Sequence, residues 1–309
     1  MINHIHLRYT HVLTFILLHA LLVSTAHADK RPFYVIAHMV NELRQVRHYL
    51  DRGANSLESD IQFYSDGSVK EVYHGFPCDC FRTCTKTAGL SEYLQHVRKI
   101  TDPNEPNNYY DKMVLQMLDL KMSSSNNKKK SGREIARHIL DHLWTPDGSR
   151  EQEVKVLIYI ESIDNKEVIY GVLEEFQERG QEARLKDVGF DGGQDDIFAI
   201  RKMFVDEFGG KLNVWLGDGK SNCISAFYPD GRLRREVSMR NSVNNDFVGK
   251  VYHWTIDLKL RIRLSLNLAV DAILTNDPED VIEVLQESYY KNDFRLATPY
   301  DDPFSTFRN

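Results

Sequence analysis

The sequence predicts an α/β protein built as a single (β/α)8 barrel of the TIM type. Short apolar runs alternate with segments of helical periodicity, and eight such repeats over about 250 residues match the size of this fold. Polar side chains gather where the runs end, and barrel active sites lie at that face. The 309-residue chain is 42% hydrophobic and 27% charged, which is ordinary for a folded protein. A doubly wound open sheet is the alternative.

The first 28 residues predict a secretory signal peptide. Arg8 precedes the apolar stretch 12–23, and Ala26-His27-Ala28 allows cleavage after Ala28. The stretch is shorter than the roughly 20 apolar residues of a membrane-spanning helix, which argues against an anchor. We expect a secreted, extracellular monomer without a transmembrane segment, with the barrel domain at residues 29–309. Loss of Arg8 changes the formal charge from −6 to −7, and this acidity argues against nucleic-acid binding.

Eight apolar runs are the strand candidates. They cover residues 33–37, 54–57, 114–118, 154–160, 186–190, 212–216, 250–255 and 272–275. Seven segments have helical periodicity, at residues 41–52, 90–100, 132–143, 166–179, 194–207, 258–268 and 278–289. The alternation requires a further helix near residues 224–245, which the periodicity does not reveal. The run from Lys128 to Lys130 is expected to lie in a solvated, mobile loop.

Three acidic residues and a lysine lie at the ends of two of these runs. Glu58 and Asp60 are two positions apart, as are Asp119 and Lys121, so each pair points to one face of a strand. Three carboxylates at one end of a sheet repel one another, and a hard divalent cation such as Mg²⁺ resolves this. Lys121 beside a metal makes an anion site suited to phosphate. Ordinary surface acids are the alternative.

Two histidines and two aromatic residues complete the predicted site. His38 and His74 can work as a pair, because histidine titrates near neutral pH and can accept or supply a proton. Asp79 is predicted to orient His74, with a turn-forming role as the alternative. Tyr252 and Trp254 share one strand face and suit a quaternary ammonium head group, with core packing as the alternative.

The four cysteines predict two disulfides. An even number of cysteines in a chain expected to be secreted favours disulfides over a zinc site. Cys78 and Cys80 are only two positions apart and are not expected to bond to each other. This leaves a short loop closed by Cys84 and a long closure to Cys223, with the individual partners open.

Six segments of the chain resemble the sphingomyelinase D family. These proteins are the phospholipase D toxins of spider venoms and their arachnid relatives, and are distant kin of glycerophosphodiester phosphodiesterases. The segments are AHMVN at 37–41, GANSLESD at 53–60, YHGFPCDC at 73–80, LDLK at 118–121, VYHWT at 251–255 and LTN at 274–276. The resemblance runs from about Asp29 to the C-terminus, and several motifs in order are more specific than any one.

The resemblance implies the fold, the cofactor and the roles of the site residues. It implies a (β/α)8 barrel in which Glu58, Asp60 and Asp119 bind one Mg²⁺. His38 and His74 would be the acid–base pair. The remaining implied assignments are substrate contacts at Lys121, Tyr252, Trp254 and Asn276, and the disulfides Cys78–Cys84 and Cys80–Cys223.

The implied reaction releases choline or ethanolamine from sphingomyelin or lysophospholipids at a membrane surface, and the lipid keeps the phosphate. Attack by a hydroxyl of the lipid itself gives a cyclic phosphate, whereas attack by water gives the open monoester. We expect His38 to act on the attacking side and His74 to protonate the leaving alcohol. The alternatives are a phosphodiesterase of soluble glycerophosphodiesters and a non-catalytic lipid-binding module.

Three departures from the family pattern are visible. Gly217 stands where venom members tend to carry serine, which weakens any inferred polar contact there. Residues 301–304 read Asp-Asp-Pro-Phe in place of Asp-Asn-Pro-Trp, in a segment expected to plug the far end of the barrel. The run 123–131 also differs, and because loops after the third strand border the site, it bears on substrate choice.

Overall fold

Eight parallel strands close into a barrel in the computed structural model, which describes residues 30–146 and 148–307. The barrel strands are β1 (Arg31–Ala37), β2 (Ser56–Phe63), β5 (Leu115–Lys121), β6 (Lys155–Tyr159), β7 (Val188–Asp191), β8 (Asn213–Gly219), β9 (Val248–Trp254) and β10 (Ala272–Thr275). In β1, Ile36 pairs with Leu274 of β10 on one side and with Ser56 of β2 on the other, which closes the ring. The predicted (β/α)8 barrel is confirmed, and an open sheet is excluded. The predicted signal peptide lies outside the described residues.

Three short strands add to the barrel and were not predicted. They are β3 (Val69–Tyr73), β4 (Thr87–Ala88) and β11 (Phe294–Leu296). β2 extends beyond the residues that pair with β1, and this extension forms an antiparallel ladder with β3. β3 in turn pairs with β4. This extension carries His74 and residues 75–86, which we call the cysteine loop, back over the carboxyl ends of the barrel strands.

Helices surround the barrel. They are α1 (Leu43–Asp51), α2 (Leu90–Ile100), α3 (Lys128–His138), α4 (Glu167–Glu178), α5 (Ile197–Lys202), α6 (Asn222–Ser225), α7 (Gly231–Asn241), α8 (Lys259–Asn267) and α9 (Pro278–Leu285). The helix that the alternation required near residues 224–245 is α7. Its apolar face is narrow, with Leu233 and Val237 buried, and its buried Arg240 pairs with Asp271, so periodicity alone did not reveal it.

The expected loop at Lys128–Lys130 is instead the first turn of α3. The side chain of Asn127 caps this helix by accepting a hydrogen bond from the backbone N–H of Lys130 at 3.1 Å. Lys129 pairs with Glu174, while Lys130 pairs with Asp66. The prediction was wrong because the Asn127 cap, together with weak ion pairs to neighbouring segments, offsets the repulsion within the lysine run.

The amino-terminal end of the barrel is closed by the C-terminal segment. The ring of Phe304 packs under β7, where a Cβ atom on Gly189 would lie 2.4 Å from the Phe304 Cε1 atom. The indole N–H of Trp215 donates to the carbonyl oxygen of Pro303 at 2.9 Å. This segment therefore contributes to packing at the end opposite the site, as the family resemblance implied. Across residues 30–146 and 148–307, no helix is both long and apolar enough to span a bilayer.

Candidate active site

A cavity of about 450 Å³ opens at the carboxyl ends of the barrel strands. Predicted site residues account for much of its wall, and Tyr159, Glu161, Met117 and Leu274 add to it. The predicted residues that line it are His38, Glu58, His74, Asp79, Asp119, Lys121, Tyr252 and Trp254. Asp60 and Asn276 lie next to these residues, beneath the wall. The fold therefore brings together side chains from six separate segments of the sequence.

Strand register brings the three predicted metal ligands together. Asp60 of β2 lies directly opposite Asp119 of β5, and Glu58 points to the same face two residues earlier. One carboxylate oxygen from each residue lies within 4.8 Å of the others. Glu58 and Asp60 are buried, and Asp119 is partly exposed at the cavity wall.

Each of these carboxylates has one bonded and one unbonded oxygen. Glu58 Oε2 accepts from the backbone N–H of Met39 at 2.7 Å, and Asp60 Oδ2 accepts from Asn41 Nδ2 at 2.7 Å. Glu58 Oε1, Asp60 Oδ1 and Asp119 Oδ1 are buried and accept no hydrogen bond from the described residues. Buried carboxylate oxygens without donors are costly, and an all-oxygen set of this kind fits a hard divalent cation.

Lys121 provides the positive charge within this acidic cluster. Its Nζ atom donates to Asp119 Oδ2 at 2.6 Å and lies 3.0 Å from Asp60 Oδ1, outside hydrogen-bond geometry. Burial and the charge of Asp60 raise the pKa of Glu58, and burial raises the pKa of Asp119. Burial opposes the charge on Lys121, but the carboxylates outweigh it and hold the lysine pKa well above its usual value. When all three carboxylates are ionised, one lysine leaves them with excess negative charge, which a bound cation would balance.

His38 directly follows β1, and its ring is held by contacts on the side away from the cavity. Its Nδ1 atom lies 3.2 Å from Asp79 Oδ2 and 3.2 Å from Asn276 Oδ1, while Nε2 lies 4.0 Å from Glu58 Oε2. Burial lowers the pKa of His38, but the hydrogen bond to Asp79 and the charge of Glu58 outweigh this and raise it to about 9. The two Nδ1 contacts orient the ring so that Nε2 is the atom available to the cavity.

The predicted partnership between Asp79 and His74 is wrong, because Asp79 contacts His38 instead. The Nδ1 atom of His74 lies 2.7 Å from the carbonyl oxygen of Gly75. Since a carbonyl only accepts, this ring nitrogen carries the proton, and Nε2 is left for chemistry. The rings of His38 and His74 are 6.3 Å apart between centroids and nearly perpendicular, so they face each other across the cavity.

Three residues support His38: Asn276, which was predicted to contact the substrate, and Arg82 and Asp257, which the sequence did not single out. Asn276 is buried behind His38 and contacts the imidazole ring. Its Nδ2 atom donates a hydrogen bond to Asp257 at 2.9 Å and another to Asp79 at 3.2 Å. Arg82 donates to Asn276 Oδ1 at 2.6 Å and to the carbonyl oxygen of His38 at 3.3 Å. Asp257 lies shortly after the end of β9, just as Asn276 lies after the end of β10. Its position after a strand was therefore the signal by which Asp257 could have been identified from the sequence.

Two aromatic side chains lie together on one wall of the cavity, as predicted. Tyr252 is buried and Trp254, two residues later on the same face of β9, is partly exposed. A Cβ atom on Gly217 would lie 2.2 Å from Tyr252 Cζ, so glycine is what permits this ring position. Both disulfides implied by the resemblance are present, Cys78–Cys84 and Cys80–Cys223, and the second joins the cysteine loop to α6.

A family model described as Dermonecrotic toxin SPH matches residues 28–304. The chain belongs to this dermonecrotic toxin SPH family. The assignment to the sphingomyelinase D and phospholipase D toxins made from the motifs is thereby confirmed, and the chain is an enzyme of this phosphodiester-cleaving type.

Curated SPH relatives match over nearly their full length. Dermonecrotic toxin LcsSicTox-betaIC1 of Loxosceles cf. spinulosa is 38% identical over 275 residues, which are 88% of this chain and 98% of that protein. Dermonecrotic toxin LlSicTox-betaIA1 of Loxosceles laeta is 37% identical over 279 residues, covering 89% of this chain and 90% of the relative. The similarity therefore extends through the whole barrel.

Solved structures share the barrel at low sequence identity. A putative glycerophosphoryl diester phosphodiesterase from Silicibacter pomeroyi has a TM-score of 0.51 at 12% identity, covering 84% of this chain and 95% of that one. A putative glycerophosphodiester phosphodiesterase from Galdieria sulphuraria has a TM-score of 0.50 at 13% identity, with coverages of 84% and 100%. These likenesses support the fold of this SPH member.

Gly217→Ala is expected to displace Tyr252 from the cavity wall. The added Cβ overlaps the buried Tyr252 ring, and overpacking of this kind costs about 1–3 kcal/mol. We expect a lower melting temperature, and a KM that rises more than kcat falls. Thermal unfolding and steady-state kinetics measure this, with Gly231→Ala as the control, since a Cβ at Gly231 has nothing within 4 Å. An unchanged KM would show that Tyr252 does not contact the substrate.

Proposed function

We propose that this SPH member is a secreted, Mg²⁺-dependent phospholipase D that acts on sphingomyelin and lysophospholipids at a membrane surface. The observation that carries this proposal is the facing pair His38 and His74 beside three buried carboxylates in one cavity. Glu58, Asp60 and Asp119 would hold the ion. Bound Mg²⁺ would supply Lewis-acid stabilisation of a phosphoryl oxygen.

The protein's own side chains would stabilise the charge on the phosphate and transfer the protons. Lys121 would place its ammonium group against the phosphate, where it stabilises negative charge. Asp79 accepts from His38 Nδ1, so His38 Nε2 is directed to take the proton of the attacking hydroxyl. The raised pKa of His38 opposes this role, and the positive charge of a cation beside Glu58 would lower it again. His74 Nε2 would carry the proton that is given to the leaving alcohol.

The attacking group in this proposal is a hydroxyl of the lipid itself. Its oxygen forms a new bond to phosphorus as the bond from phosphorus to the head-group oxygen breaks. The proton of the hydroxyl passes to His38, and a proton from His74 passes to the released choline or ethanolamine. The product is a cyclic phosphate that remains on the lipid. Tyr252 and Trp254 would offer aromatic faces to the quaternary ammonium group.

Phosphorus NMR tests this function directly. The protein without its first 28 residues is incubated with Mg²⁺ and vesicles containing sphingomyelin or lysophosphatidylcholine. We expect a cyclic phosphate signal, together with free choline measured by an enzyme-coupled assay. An open phosphate monoester would support the phospholipase D activity but would contradict attack by a hydroxyl of the lipid. An unchanged spectrum from folded, metal-loaded protein on choline and ethanolamine lipids would favour a soluble glycerophosphodiester as substrate, or a lipid-binding module.

A further inference from the structure

Apolar side chains are exposed around the mouth of the cavity. Phe76 and Phe81 lie on the cysteine loop, and Phe76 immediately precedes Pro77 and Cys78, which line the cavity. Phe76 is 93% exposed and Phe81 is fully exposed. We call the following set the docking rim: Phe76, Phe81, Ile224, Phe227 and Leu258, all exposed. Large apolar side chains that face water together are typical of an interaction surface.

The rim extends from the cysteine loop to α6 and the start of α8. A second cavity of about 720 Å³ has Phe81, Ala226 and Leu258 in its wall, together with polar and charged residues that include Arg52, Arg82 and Asp257. The disulfide between Cys80 and Cys223 joins the two loops covalently. Ile224 and Phe227 flank these lining residues in the sequence, and Phe227 is 89% exposed. Phe81 and Leu258 therefore border this second cavity, with Ile224 and Phe227 next to its lining residues, while Phe76 lies beside the first cavity.

Phe81 is held outward by its surroundings. Its φ is +63°, a left-handed conformation that is uncommon for a bulky residue. On one side Cys80 is fixed to Cys223, and on the other Arg82 is bonded to Asn276 and to the backbone of His38. A conformation of this kind costs free energy and persists at functional sites, where the surroundings enforce it. The Cys80–Cys223 disulfide and Arg82, which also contacts the backbone of His38, thus fix the chain on both sides of the exposed Phe81.

We propose that the docking rim inserts into a lipid surface of zwitterionic head groups and holds the cavity mouth against it. This inference rests on the proposed function and names the lipid surface on which the cleavage takes place. The chain carries a formal charge of −6, which disfavours an anionic bilayer and leaves apolar insertion as the source of binding. Aromatic rings suit the boundary between head groups and acyl chains. A head group next to the rim would then enter the cavity without leaving the membrane.

Vesicle binding of matched double variants tests the proposal. Phe81→Ser with Phe227→Ser removes two rim rings, while Val243→Ser with Tyr289→Ser removes exposed apolar groups at the amino-terminal end of the barrel. Val243 is 87% exposed, close to the value for Phe227. Co-sedimentation with phosphatidylcholine–sphingomyelin vesicles measures the partition coefficient. We expect the rim variant to lose at least about tenfold in partitioning, because each buried ring contributes to transfer from water. The control variant should bind as the wild type does.

Kinetics separate docking from chemistry. The measured quantity is the ratio of activity on vesicles to activity on a short-chain lysophospholipid dispersed as monomers, which we expect to fall in the rim variant and to stay constant in the control. Wild-type partitioning that the rim substitutions do not change would overturn the proposal. Binding that requires anionic lipid and disappears at high salt would also overturn it, as would no vesicle binding, which would leave the rim as a protein-contact surface. Vesicle binding that depends on the rim but is not accompanied by phospholipid cleavage would contradict the proposed function while supporting the docking surface.

Discussion

Glu58→Gln is expected to abolish the stabilisation of the protein by Mg²⁺ and to reduce activity by about a hundredfold to a thousandfold, a loss like that of other electrostatic groups in active sites. Glu58 contributes one of the buried oxygens that accept no hydrogen bond from the described residues. The amide keeps the shape of the side chain but removes its charge. At a ligand concentration of 100 times Kd, a binding site stabilises the folded state by about 2.7 kcal/mol. Thermal unfolding with and without Mg²⁺ should show this gain in the wild type and not in the variant.

The metal-free proteins provide the control for this prediction. The ordinary pKa of a glutamate is 4.5, and burial with the nearby charge of Asp60 raises that of Glu58 in the folded state. A group with a raised folded-state pKa stabilises the fold below its unfolded pKa, and loses this contribution as pH rises through the folded value. The pKa of His38, raised to about 9, acts in the same direction.

In chelator, the free energy of unfolding of the wild type should therefore fall as pH rises from about 4.5 to 9. The fall should be shallower in Glu58→Gln, and Mg²⁺ should reduce it in the wild type. A variant that is much less stable than the wild type in chelator would contradict the proposed repulsion among the three carboxylates. Retention of the Mg²⁺ shift by a folded variant would exclude Glu58 as a ligand.

His38→Asn and His74→Asn are each expected to lower kcat by about 10²–10⁴, the usual contribution of a general acid or base. The double variant should be only slightly less active than either single one, because the effects of groups that act as a unit in one phosphoryl-transfer step are not additive. Single-turnover kinetics on vesicles measure these effects. His142→Asn is the matched control, since His142 lies on the outer surface beside Gln95 and away from the cavity.

The two histidines should differ in their response to the leaving group. Loss of an acid matters less when the departing alcohol is a good leaving group, so a p-nitrophenyl phosphodiester should restore much of the activity of His74→Asn. The same substrate should not restore His38→Asn. Rescue of His38→Asn alone would reverse the proposed assignment. Equal losses on both substrates would show that neither histidine protonates the leaving oxygen.

Some site residues could be paired from the sequence, because local pattern and chemistry coincide there. Residues separated by two positions in a strand share a face, so Glu58 with Asp60 and Tyr252 with Trp254 could be paired without a structure. The same rule turns His253, between the two aromatic residues, to the opposite face. There its Nδ1 atom lies 2.8 Å from Ser265 Oγ, and burial lowers its pKa to about 3. His253 is therefore a structural histidine on the face opposite Tyr252 and Trp254.

The contacts that the sequence did not reveal join segments far apart in the chain. Asp79 was assigned to the nearby His74, but it reaches His38, to which Arg82 and Asn276 also bond. The lysine run was taken for a loop, because its acidic partners Asp66 and Glu174 come from other elements. Neither outcome follows from local periodicity.

The sequence alone determined the fold class, the metal-ligand candidates, the histidine pair and, through the family resemblance, the disulfide partners. These depend on strand periodicity, on charge and on motif order, which are properties of the chain read along its length. The tertiary structure decided which side chain orients His38, which carboxylate oxygens are left without donors and where the exposed phenylalanines lie relative to the cavity. Those features depend on barrel closure and on the path of the cysteine loop, which bring distant segments within hydrogen-bond range.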